Sequence, residues 1–327
     1  MRYKILFVCS GNSKYFDVSP FIKRQADSLI RIGNQVDIFR IEEGGILGYL
    51  KHILLLYKKI NNESSQYDII HAHYTLSGWV AFFAAMNKTK VLTYMGTDAY
   101  GLVNNSVKDY FVSFLLIIQG FAIQYLYEEL IFKSKNLLKN IFLKKNVNII
   151  PNGVNLQEFR PIQKEECRIK LGIESNKRIL LFVGDVKSKR KNFKLLKDSL
   201  KFLKTDCKVL SPYPVKPELM PLYYNASDVL VFTSLKEGSP NVIKEAMACN
   251  LPIVTTIAGD VQWIIGETEG CFISSFDHKD LSIKIESALH FSNLIGKTKG
   301  RERIIDLGLN SESIAKRLVT VYKRALK

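Results

Sequence analysis

The sequence predicts an α/β protein built from two doubly wound domains that face each other, each a parallel sheet wrapped by helices. The length of 327 residues suits roughly two domains at ~150 residues each. Short β-rich runs alternate with helical stretches along the whole chain, which is the pattern of parallel sheets. A turn signal, Pro151-Asn152-Gly153, is followed by a polar stretch to Asn176 and marks the boundary. Ligands of such sheets bind at the carboxyl ends of the strands.

Eleven short runs rich in β-branched and aromatic residues are the predicted strands. The first half contributes Lys4–Val8, Val36–Ile41, Asp68–His71, Lys90–Tyr94, Glu129–Phe132 and Asn146–Ile150. The second half contributes Arg178–Val183, Lys208–Leu210, Asp228–Phe232, Pro252–Thr256 and Cys271–Ile273. Amphipathic or apolar helices are predicted between them, at Pro20–Ile32, Gly78–Met86, Lys191–Leu203 and Asn241–Cys249.

Composition excludes several classes of protein. Hydrophobic residues make up 47% and charged residues 24%, which is ordinary for a globular protein and unlike a disordered or fibrous one. The five cysteines are an odd number without a Cys-x-x-Cys pair, so we expect a reduced, cytoplasmic protein without a disulfide framework or zinc cluster. The N-terminal apolar run is too short for a secretory signal.

The net charge of +16 favours an anionic partner, such as nucleotide phosphates, nucleic acid or an acidic membrane surface. Nucleic acid is the weakest of these, because the aromatic residues are not interleaved with the basic ones. Gly48–Ile60 places basic residues beside leucines, and Tyr110–Tyr127 is a run of 18 uncharged residues. We expect these two segments to dock on anionic lipid, with a buried core helix as the alternative for each.

The most informative stretch runs from Asp228 to Asp260. A buried strand is followed by a loop with Glu237, and Ser239-Pro240 then has the pattern of an N-cap with proline at the first helical position. The free amides of Asn241 and Val242 would open the helix and attract an anion such as a diphosphate. Glu237 and Glu245 cannot bind phosphate but can accept hydrogen bonds from sugar hydroxyls. A nucleotide sugar fits; an ordinary capped helix with solvated glutamates remains the alternative.

Two further loops follow strands at the predicted ligand edge. After Gly184 the chain carries four basic residues: Lys187, Lys189, Arg190 and Lys191. At the ligand edge of the sheet they can neutralise a diphosphate, whose negative charge increases as the sugar leaves. A solvated basic turn is the alternative. After the first strand, Gly11 and Asn12 lie in a short polar loop, where glycine permits close approach of a ligand. The loop with one glycine is weak support by itself.

Several motifs together resemble the family 4 retaining glycosyltransferases of the GT-B fold. Glu237–Thr255 is similar to the family's motif of two glutamates separated by seven residues. Other matching stretches occur in the same order: I-I-H-A-H-Y (Ile69–Tyr74), T-Y-M-G-T-D (Thr93–Asp98), I-P-N-G-V-N with Phe159, F-V-G with R-K-N (Phe182–Asn192) and A-S-D-V-L (Ala226–Leu230). The likeness covers nearly the whole chain.

The resemblance implies a division of labour between domains. Residues 1–153 would form an acceptor-binding domain and residues 154–306 a domain that binds the nucleotide sugar, while 307–327 would supply a helix that packs back on the first. Glu245 would bind the ribose, Glu237 the transferred sugar and Lys191 the diphosphate. Backbone at Gly11, Gly184 and the start of the helix (Ser239, Pro240, Asn241 and Val242) would complete the donor site, and Glu237, Lys191 and Arg190 would act in catalysis.

Two residues depart from the family pattern. Asp185 stands where an arginine phosphate clamp is common, so Arg190 is expected to replace that clamp. Met95 stands where the family usually has a histidine close to the reacting sugar, and methionine can neither donate a hydrogen bond nor act as a base. The acceptor-side candidates are therefore His73, Met95, Asp98 and Asn12, with a purely structural role as the alternative for His71 and His73.

We therefore expect a hexosyltransferase-type enzyme that moves a sugar from a nucleotide sugar to a glycan or lipid-linked acceptor of the cell envelope. Family members need no divalent metal, which agrees with the lack of an Asp-x-Asp pair, so no cofactor or metal site is expected. The alternatives are another GT-B enzyme, such as a sugar-nucleotide epimerase or a phosphorylase, or a non-catalytic nucleotide-sugar-binding partner. We place the protein in the cytoplasm, at the inner face of the membrane.

Overall fold

A computed structural model describes residues 2–11, 15–62, 66–103, 106–140, 146–174 and 176–327. These residues divide into two compact units, Met1–Gly153 with Ser311–Lys327 and Val154–Asn310. The first unit therefore contains both ends of the chain, and the second is inserted between them.

The first unit is a six-stranded sheet in which neighbouring strands are parallel, in the order β2-β1-β3-β4-β5-β6. Its strands are β1 (Lys4–Ser10), β2 (Gln35–Ile41), β3 (Ile69–His73), β4 (Lys90–Tyr94), β5 (Glu129–Phe132) and β6 (Val147–Ile149). Its helices are α1 (Pro20–Arg31), α2 (Gly45–Asn62), α3 (Thr75–Ala84), α4 (Thr97–Tyr100), α5 (Val107–Ile123) and the C-terminal α13 (Ser311–Ala325).

The second unit has a five-stranded parallel sheet in the order β11-β10-β9-β7-β8. The strands are β7 (Arg178–Leu181), β8 (Cys207–Leu210), β9 (Val229–Phe232), β10 (Ile253–Thr256) and β11 (Cys271–Ser274). The helices are α6 (Lys164–Leu171), α7 (Phe193–Ser199), α8 (Met220–Ala226), α9 (Asn241–Ala248), α10 (Val261–Ile265), α11 (His278–Leu294) and α12 (Gly300–Asp306).

The central strands are buried along their whole length, because helices cover both faces of each sheet. In the first unit, Ile70, Ala72 and Leu92 belong to the core under α2 and α3. In the second unit, Val231 and Val254 pack against α11 with Leu281 and Ile285. The eleven predicted strands are all present, with ends that differ by up to two residues.

The C-terminal helix α13 belongs to the first unit through specific contacts as well as packing. Tyr322 is completely buried, and its hydroxyl lies 2.7 Å from Nδ1 of His71 on β3. Arg324 forms an ion pair with Glu129 on β5, at 3.1 Å. The helix thus contacts β3 and β5, the two strands on either side of β4.

Three predicted helix starts are wrong in detail. The helix predicted at Gly78–Met86 begins at Thr75. The helix predicted at Lys191–Leu203 begins at Phe193, because Asn192 adopts a left-handed conformation and leaves Lys191 in a separate 3-10 turn. The N-cap of α9 is Pro240 rather than Ser239, and Asn241 is the first helical residue. The Ser239 hydroxyl instead bonds two buried charged side chains, which are described below.

Candidate active site

Three neighbouring strands of the second sheet carry the predicted donor residues on the loops that follow them. The order β10-β9-β7 brings the loop after β7, with Lys191, beside the loop after β9, with Glu237, and the loop after β10, with Asp260. Thr233 links the loop after β9 to the loop after β7. Its hydroxyl hydrogen is shared between the carbonyl oxygens of Lys191 and Asn192, each 3.0 Å away. The carboxyl edge of this sheet therefore gathers residues that are up to 69 positions apart in sequence.

Glu237 is the centre of a charged cluster. Its Oε1 accepts a hydrogen bond from Lys191 Nζ at 2.8 Å and also pairs with the guanidinium of Arg190. Burial opposes ionisation of Glu237, but Lys191 and Arg190 outweigh it, so the pKa of Glu237 lies below its ordinary value. Burial, reinforced by Arg190, lowers the pKa of Lys191 despite the opposing carboxylate of Glu237. The site thus joins two cations to one carboxylate.

Gly184 shapes the pocket for the Lys191 side chain. Its φ of +145° is a conformation that residues with a Cβ rarely adopt. A Cβ at this position would lie 3.1 Å from Cγ of Lys191 and 3.2 Å from its Cδ. The ammonium group also lies over the ring of Phe232, 5.3 Å from its centroid. Backbone and ring therefore hold the lysine stem in place.

The start of α9 lies on the loop that carries Glu237. Asn241 and Val242 are its first residues, so their amides have no carbonyl of the helix to bond. One turn further, Oε2 of Glu245 accepts a hydrogen bond from the buried Tyr224 at 2.8 Å. That bond fixes the Glu245 carboxylate on the first turns of α9, close to the helix start where an anion is favoured.

A buried pair that the sequence analysis missed supports the same loop. Lys244 is fully buried, and burial lowers the pKa of its ammonium group to about 8, although Asp260 and Glu245 oppose the shift. The hydroxyl of Ser239 accepts from Lys244 Nζ at 3.1 Å and bonds the carboxylate of Asp260. Burial raises the pKa of Asp260 to about 6, with Lys244 and Ser239 opposing it.

Backbone contact completes this edge. Asp260 N–H donates to the carbonyl of Gly238 at 3.1 Å, and a Cβ on Gly259 would lie only 2.2 Å from that oxygen. Three buried side-chain oxygens on these loops have no hydrogen-bond partner within the described chain: Ser234 Oγ, Asn241 Oδ1 and Asp260 Oδ1. Buried polar atoms normally have partners, so these oxygens fit a site that a polar ligand or water completes.

The structure corrects one phosphate-binding prediction, that of the Gly11 amide, and shows what Asp185 bonds instead of a phosphate. The amide of Gly11 donates a hydrogen bond to the carbonyl of Ile41 at 2.9 Å. It therefore belongs to the hydrogen-bond ladder of the sheet and is not available to donate a hydrogen bond to a phosphate. Glycine is required there because a Cβ would lie 2.7 Å from Cβ of Arg40. Asp185 accepts the amide of Lys187 at 2.8 Å and so stabilises the turn before Arg190. Asn12 lies outside the described residues.

Three acceptor-side candidates of the first unit lie at the ends of two strands: His73 is the last residue of β3, and Met95 and Asp98 follow β4. Asp98 is buried, and its carboxylate accepts the amides of Met95, Gly96 and Thr75 at 2.8–3.1 Å. Burial raises the pKa of Asp98 to about 6, although these amides oppose the shift. The carboxylate therefore organises the loop of Met95 and the start of α3. Met95 itself is partly exposed.

The two histidines of β3 have different surroundings. Both ring nitrogens of His71 are bonded, to the hydroxyls of Tyr322 and Thr93 at 2.7 Å each. His73 stacks on His71 with ring centroids 4.3 Å apart, and neither of its nitrogens has a partner in the part of the chain that the structure describes. Burial places the pKa of both well below the ordinary value, so both are neutral at pH 7.

Comparison with known proteins identifies the family. Two family models match, "Glycosyl transferase 4-like" over residues 5–128 and "Glycosyl transferases group 1" over residues 174–290. A UDP-Gal:alpha-D-GlcNAc-diphosphoundecaprenol alpha-1,3-galactosyltransferase of Escherichia coli is 26% identical over 70% of this chain and 67% of its own. A D-inositol 3-phosphate glycosyltransferase of Geodermatophilus obscurus is 22% identical over 72% of this chain and 62% of its own.

A solved structure shows the same fold. The sucrose-phosphate synthase of Thermosynechococcus elongatus superposes with a TM-score of 0.81 at 20% identity, over 99% of both chains. The chain spans about three fifths of the length of the first curated relatives that it matches. It belongs to the family 4 glycosyltransferases, with the GT-B fold of two Rossmann-like domains.

Proposed function

We propose that this family 4 glycosyltransferase moves a sugar, with retention of its anomeric configuration, from a nucleotide sugar to a glycan or lipid-linked acceptor of the cell envelope. One observation carries the proposal: Lys191, Arg190 and Glu237 meet at the sheet edge from which α9 begins. Cations and free amides suit a diphosphate, and carboxylates suit sugar hydroxyls. The galactosyltransferase relative is named for a UDP-sugar and a lipid-linked acceptor, which supports both substrate classes.

Each charged residue has a role in this proposal. Lys191 and Arg190 neutralise the diphosphate, and Glu237 accepts hydrogen bonds from the transferred sugar while it orients both cations. Glu245 accepts the ribose hydroxyls, held in place by Tyr224. The pKa of Glu237 is lowered, so it is an anion at pH 7 and can only accept hydrogen bonds.

The proposed chemistry needs no protein base. The bond between the anomeric carbon and the phosphate oxygen breaks, the acceptor oxygen attacks from the same face, and the leaving phosphate takes the acceptor proton. Met95 cannot accept a proton, and His71 has both nitrogens bonded. Lys191 and Arg190 stabilise the negative charge that develops on the leaving phosphate. In this proposal the mechanism runs without a metal ion.

A thermal-shift screen tests the donor site. We expect UDP, or else GDP, ADP or CDP, to stabilise the protein by ~2.7 kcal/mol at 100 times its dissociation constant. Glu245→Ala should remove that shift, while Glu174→Ala, which changes an exposed glutamate of the same unit, should keep it. A nucleotide shift that survives Glu245→Ala would contradict the assignment. Release of sugar phosphate would identify a phosphorylase, and turnover without acceptor an epimerase.

A non-catalytic nucleotide-sugar-binding protein is the second candidate. Asp185 and Met95 favour it, because both differ from the family's usual residues. Asp185 accepts the amide of Lys187 in its own turn and, as an acid, cannot bind a phosphate. Such a protein would show the same stabilisation by nucleotide. It would release no nucleotide from any nucleotide sugar, with any acceptor.

We further propose that the first unit docks on an anionic bilayer at the cytoplasmic face. The segment Val107–Leu126 has a mean hydropathy of 1.4 and is only 22% buried, and it is long enough to cross a membrane by length and composition alone. Its aromatic residues Tyr110, Phe111 and Phe114 are exposed, and α2 exposes Leu47 and Leu54. Exposed apolar stripes of this kind suit interfacial binding. The protein should float with phosphatidylglycerol vesicles and not with phosphatidylcholine vesicles; equal recovery would refute the role of charge.

A further inference from the structure

A buried lysine lies under the start of α9. Lys244 is the fourth residue of that helix, and only 1% of its surface is exposed. Helical side chains lean toward the N-terminus of their helix, and that of Lys244 reaches back past the first helical residue, Asn241. Its Nζ lies 3.1 Å from the hydroxyl of Ser239 and 3.5 Å from the carbonyl oxygen of the same residue. A positive charge is therefore fixed at the helix end that attracts an anion.

Ser239 connects this charge to the loop after β10. The Ser239 hydroxyl accepts from Lys244 and bonds the carboxylate of Asp260, the residue that precedes α10. The backbone holds the same loop, since the Asp260 amide donates to the carbonyl of Gly238 at 3.1 Å. Lys244, Ser239 and Asp260 thus join the loop that leads into α9 to the loop that leads into α10.

Two carboxylates act on the Lys244 ammonium group. Asp260 and Glu245 both favour its charged form, whereas burial opposes that form more strongly and lowers the pKa of Lys244 to about 8. Burial also raises the pKa of Asp260 to about 6, although Lys244 opposes the shift. Lys244 and Asp260 are consequently both ionised at pH 7, and they neutralise each other inside the protein.

The other elements packed against α9 bring different partners. Helix α8 contributes the hydroxyl of Tyr224, which bonds Glu245. Helix α12 contributes Arg301, whose guanidinium bonds a carbonyl at the C-terminal end of α9. Strand β10 and helix α10 consist of uncharged residues. Among the described residues, Asp260 is thus the charged group that a neighbouring element brings to Lys244.

Loss of the ammonium charge would leave a buried carboxylate behind the proposed diphosphate site. The carboxylate of Asp260 would then repel the anion that the start of α9 attracts, and charges repel one another strongly where water is excluded. Lys244 prevents this repulsion from a buried position. Affinity for the donor should therefore depend on the protonation of a residue that the donor does not touch.

We propose that Lys244 is a positioning residue of the donor site: its ammonium group neutralises Asp260 and holds Ser239, so that the start of α9 can receive the diphosphate. The inference rests on the proposed transferase activity, and it adds a residue that the sequence analysis did not assign to the donor. Nucleotide affinity should fall when Lys244 loses its proton.

Nucleotide affinity at two pH values tests the proposal. The probe is UDP, or whichever of GDP, ADP and CDP stabilises the protein, and isothermal titration calorimetry provides its dissociation constant. From pH 7 to pH 9 that constant should rise about fivefold more in the wild type than in Lys244→Met/Asp260→Asn, which has no charge to lose at either position. At pH 9, Lys244→Met should match the wild type within about twofold, because both then lack the ammonium charge. Equal pH dependence in the wild type and the double variant would overturn the proposal.

Two controls separate this role from a loss of structure. Lys299→Met changes an exposed lysine of the second unit and should retain the wild-type pH dependence. The wild type itself should take up protons when it binds the nucleotide at pH 8.5, since the bound anion favours the charged form of Lys244. Calorimetry in buffers of different ionisation enthalpy measures that uptake. Its absence would overturn the proposal even where the variants fail to fold.

The same titrations distinguish this inference from the proposed function. If no nucleoside diphosphate binds at pH 7, both the donor site and the role of Lys244 are wrong. If one binds with a pH dependence that the double variant shares, the donor site stands and the role of Lys244 alone is wrong.

Discussion

The carboxyl edges of the two sheets differ in how they use their polar side chains. At the first edge, Asp98 binds three backbone amides and His71 binds two hydroxyls, so these groups maintain the local structure. At the second edge, Glu237 and Lys191 bind side chains, which a ligand can re-partner. His73 is the exception at the first edge, since neither of its ring nitrogens has a partner among the described residues, whereas the second edge presents the two cations Lys191 and Arg190.

The largest expected effect concerns the backbone contact that builds the second edge. Gly259→Ala should lower the free energy of unfolding by about 3 kcal/mol, because a left-handed residue with a Cβ is strained and that Cβ overlaps the Gly238 carbonyl. Gly172→Ala has a similar φ of +64° with nothing within 4 Å and should cost about 1 kcal/mol. Urea unfolding followed by Trp263 in a Trp79→Phe background measures both. Equal losses would show that the loop contact contributes nothing.

The next effect tests the charges of the second edge. Lys191→Met should weaken binding of the stabilising nucleoside diphosphate by about 10- to 100-fold, since a hydrogen bond to a charged group contributes about 1.5–3 kcal/mol. Lys187→Met changes an exposed lysine of the same loop and should change the dissociation constant less than threefold. Isothermal titration calorimetry provides both constants. Comparable losses would assign binding to the net charge of the loop rather than to Lys191.

A matched pair of substitutions sharpens the description of the first edge. His71→Phe leaves the buried hydroxyls of Tyr322 and Thr93 without their partner and should cost about 1–3 kcal/mol of unfolding free energy. His73→Phe removes two nitrogens that have no partner among the described residues, so it should cost less than about 1 kcal/mol or stabilise. Urea unfolding read from Trp79 in the Trp263→Phe background compares them. A larger loss at His73 would reverse the assignment.

The smallest effect is a pH dependence from Lys244. Its pKa is lowered to about 8, so between pH 8 and the ordinary lysine range the folded state binds fewer protons than the unfolded state. The free energy of unfolding therefore rises with pH in that window, by about 1 kcal/mol between pH 8 and 9 relative to Lys244→Met. More than one pH unit below 8, both states carry the proton and the difference is constant. Urea unfolding of the two proteins at pH 7, 8 and 9 measures it; parallel profiles would contradict a buried, perturbed lysine.

The sequence predicted the architecture well because its signals are local. Every strand was predicted from a short apolar run, and Glu237 and Lys191 were both expected at the ligand edge of the second sheet because each follows a strand. Their ion pair was not predicted. Contacts between distant side chains left no such signal. The bond from Tyr224 to Glu245 and the bridge by Ser239 between Lys244 and Asp260 depend on tertiary packing. The predicted N-cap role of Ser239 is wrong because its hydroxyl bonds the side chains of Lys244 and Asp260 instead.

The same limit explains the misplaced Gly11 amide. Its loop position suggested a ligand contact, yet β1 extends to Ser10 and the sheet ladder takes the next amide. Strand ends are set by pairing with a neighbour, which a single sequence does not display. Leu50 of α2 and Trp79 of α3 are a further example, because they line one pocket only when the two helices pack together.

The C-terminal helix has a consequence for biosynthesis. Tyr322 meets His71 across 251 positions of chain, and the whole second unit is made between them. A ribosome therefore finishes the inserted unit before the helix that closes the first sheet emerges. The second unit is free to fold during translation, whereas the first must wait for α13. We expect a nascent chain stopped before Ser311 to be captured by chaperones through its unfinished first unit.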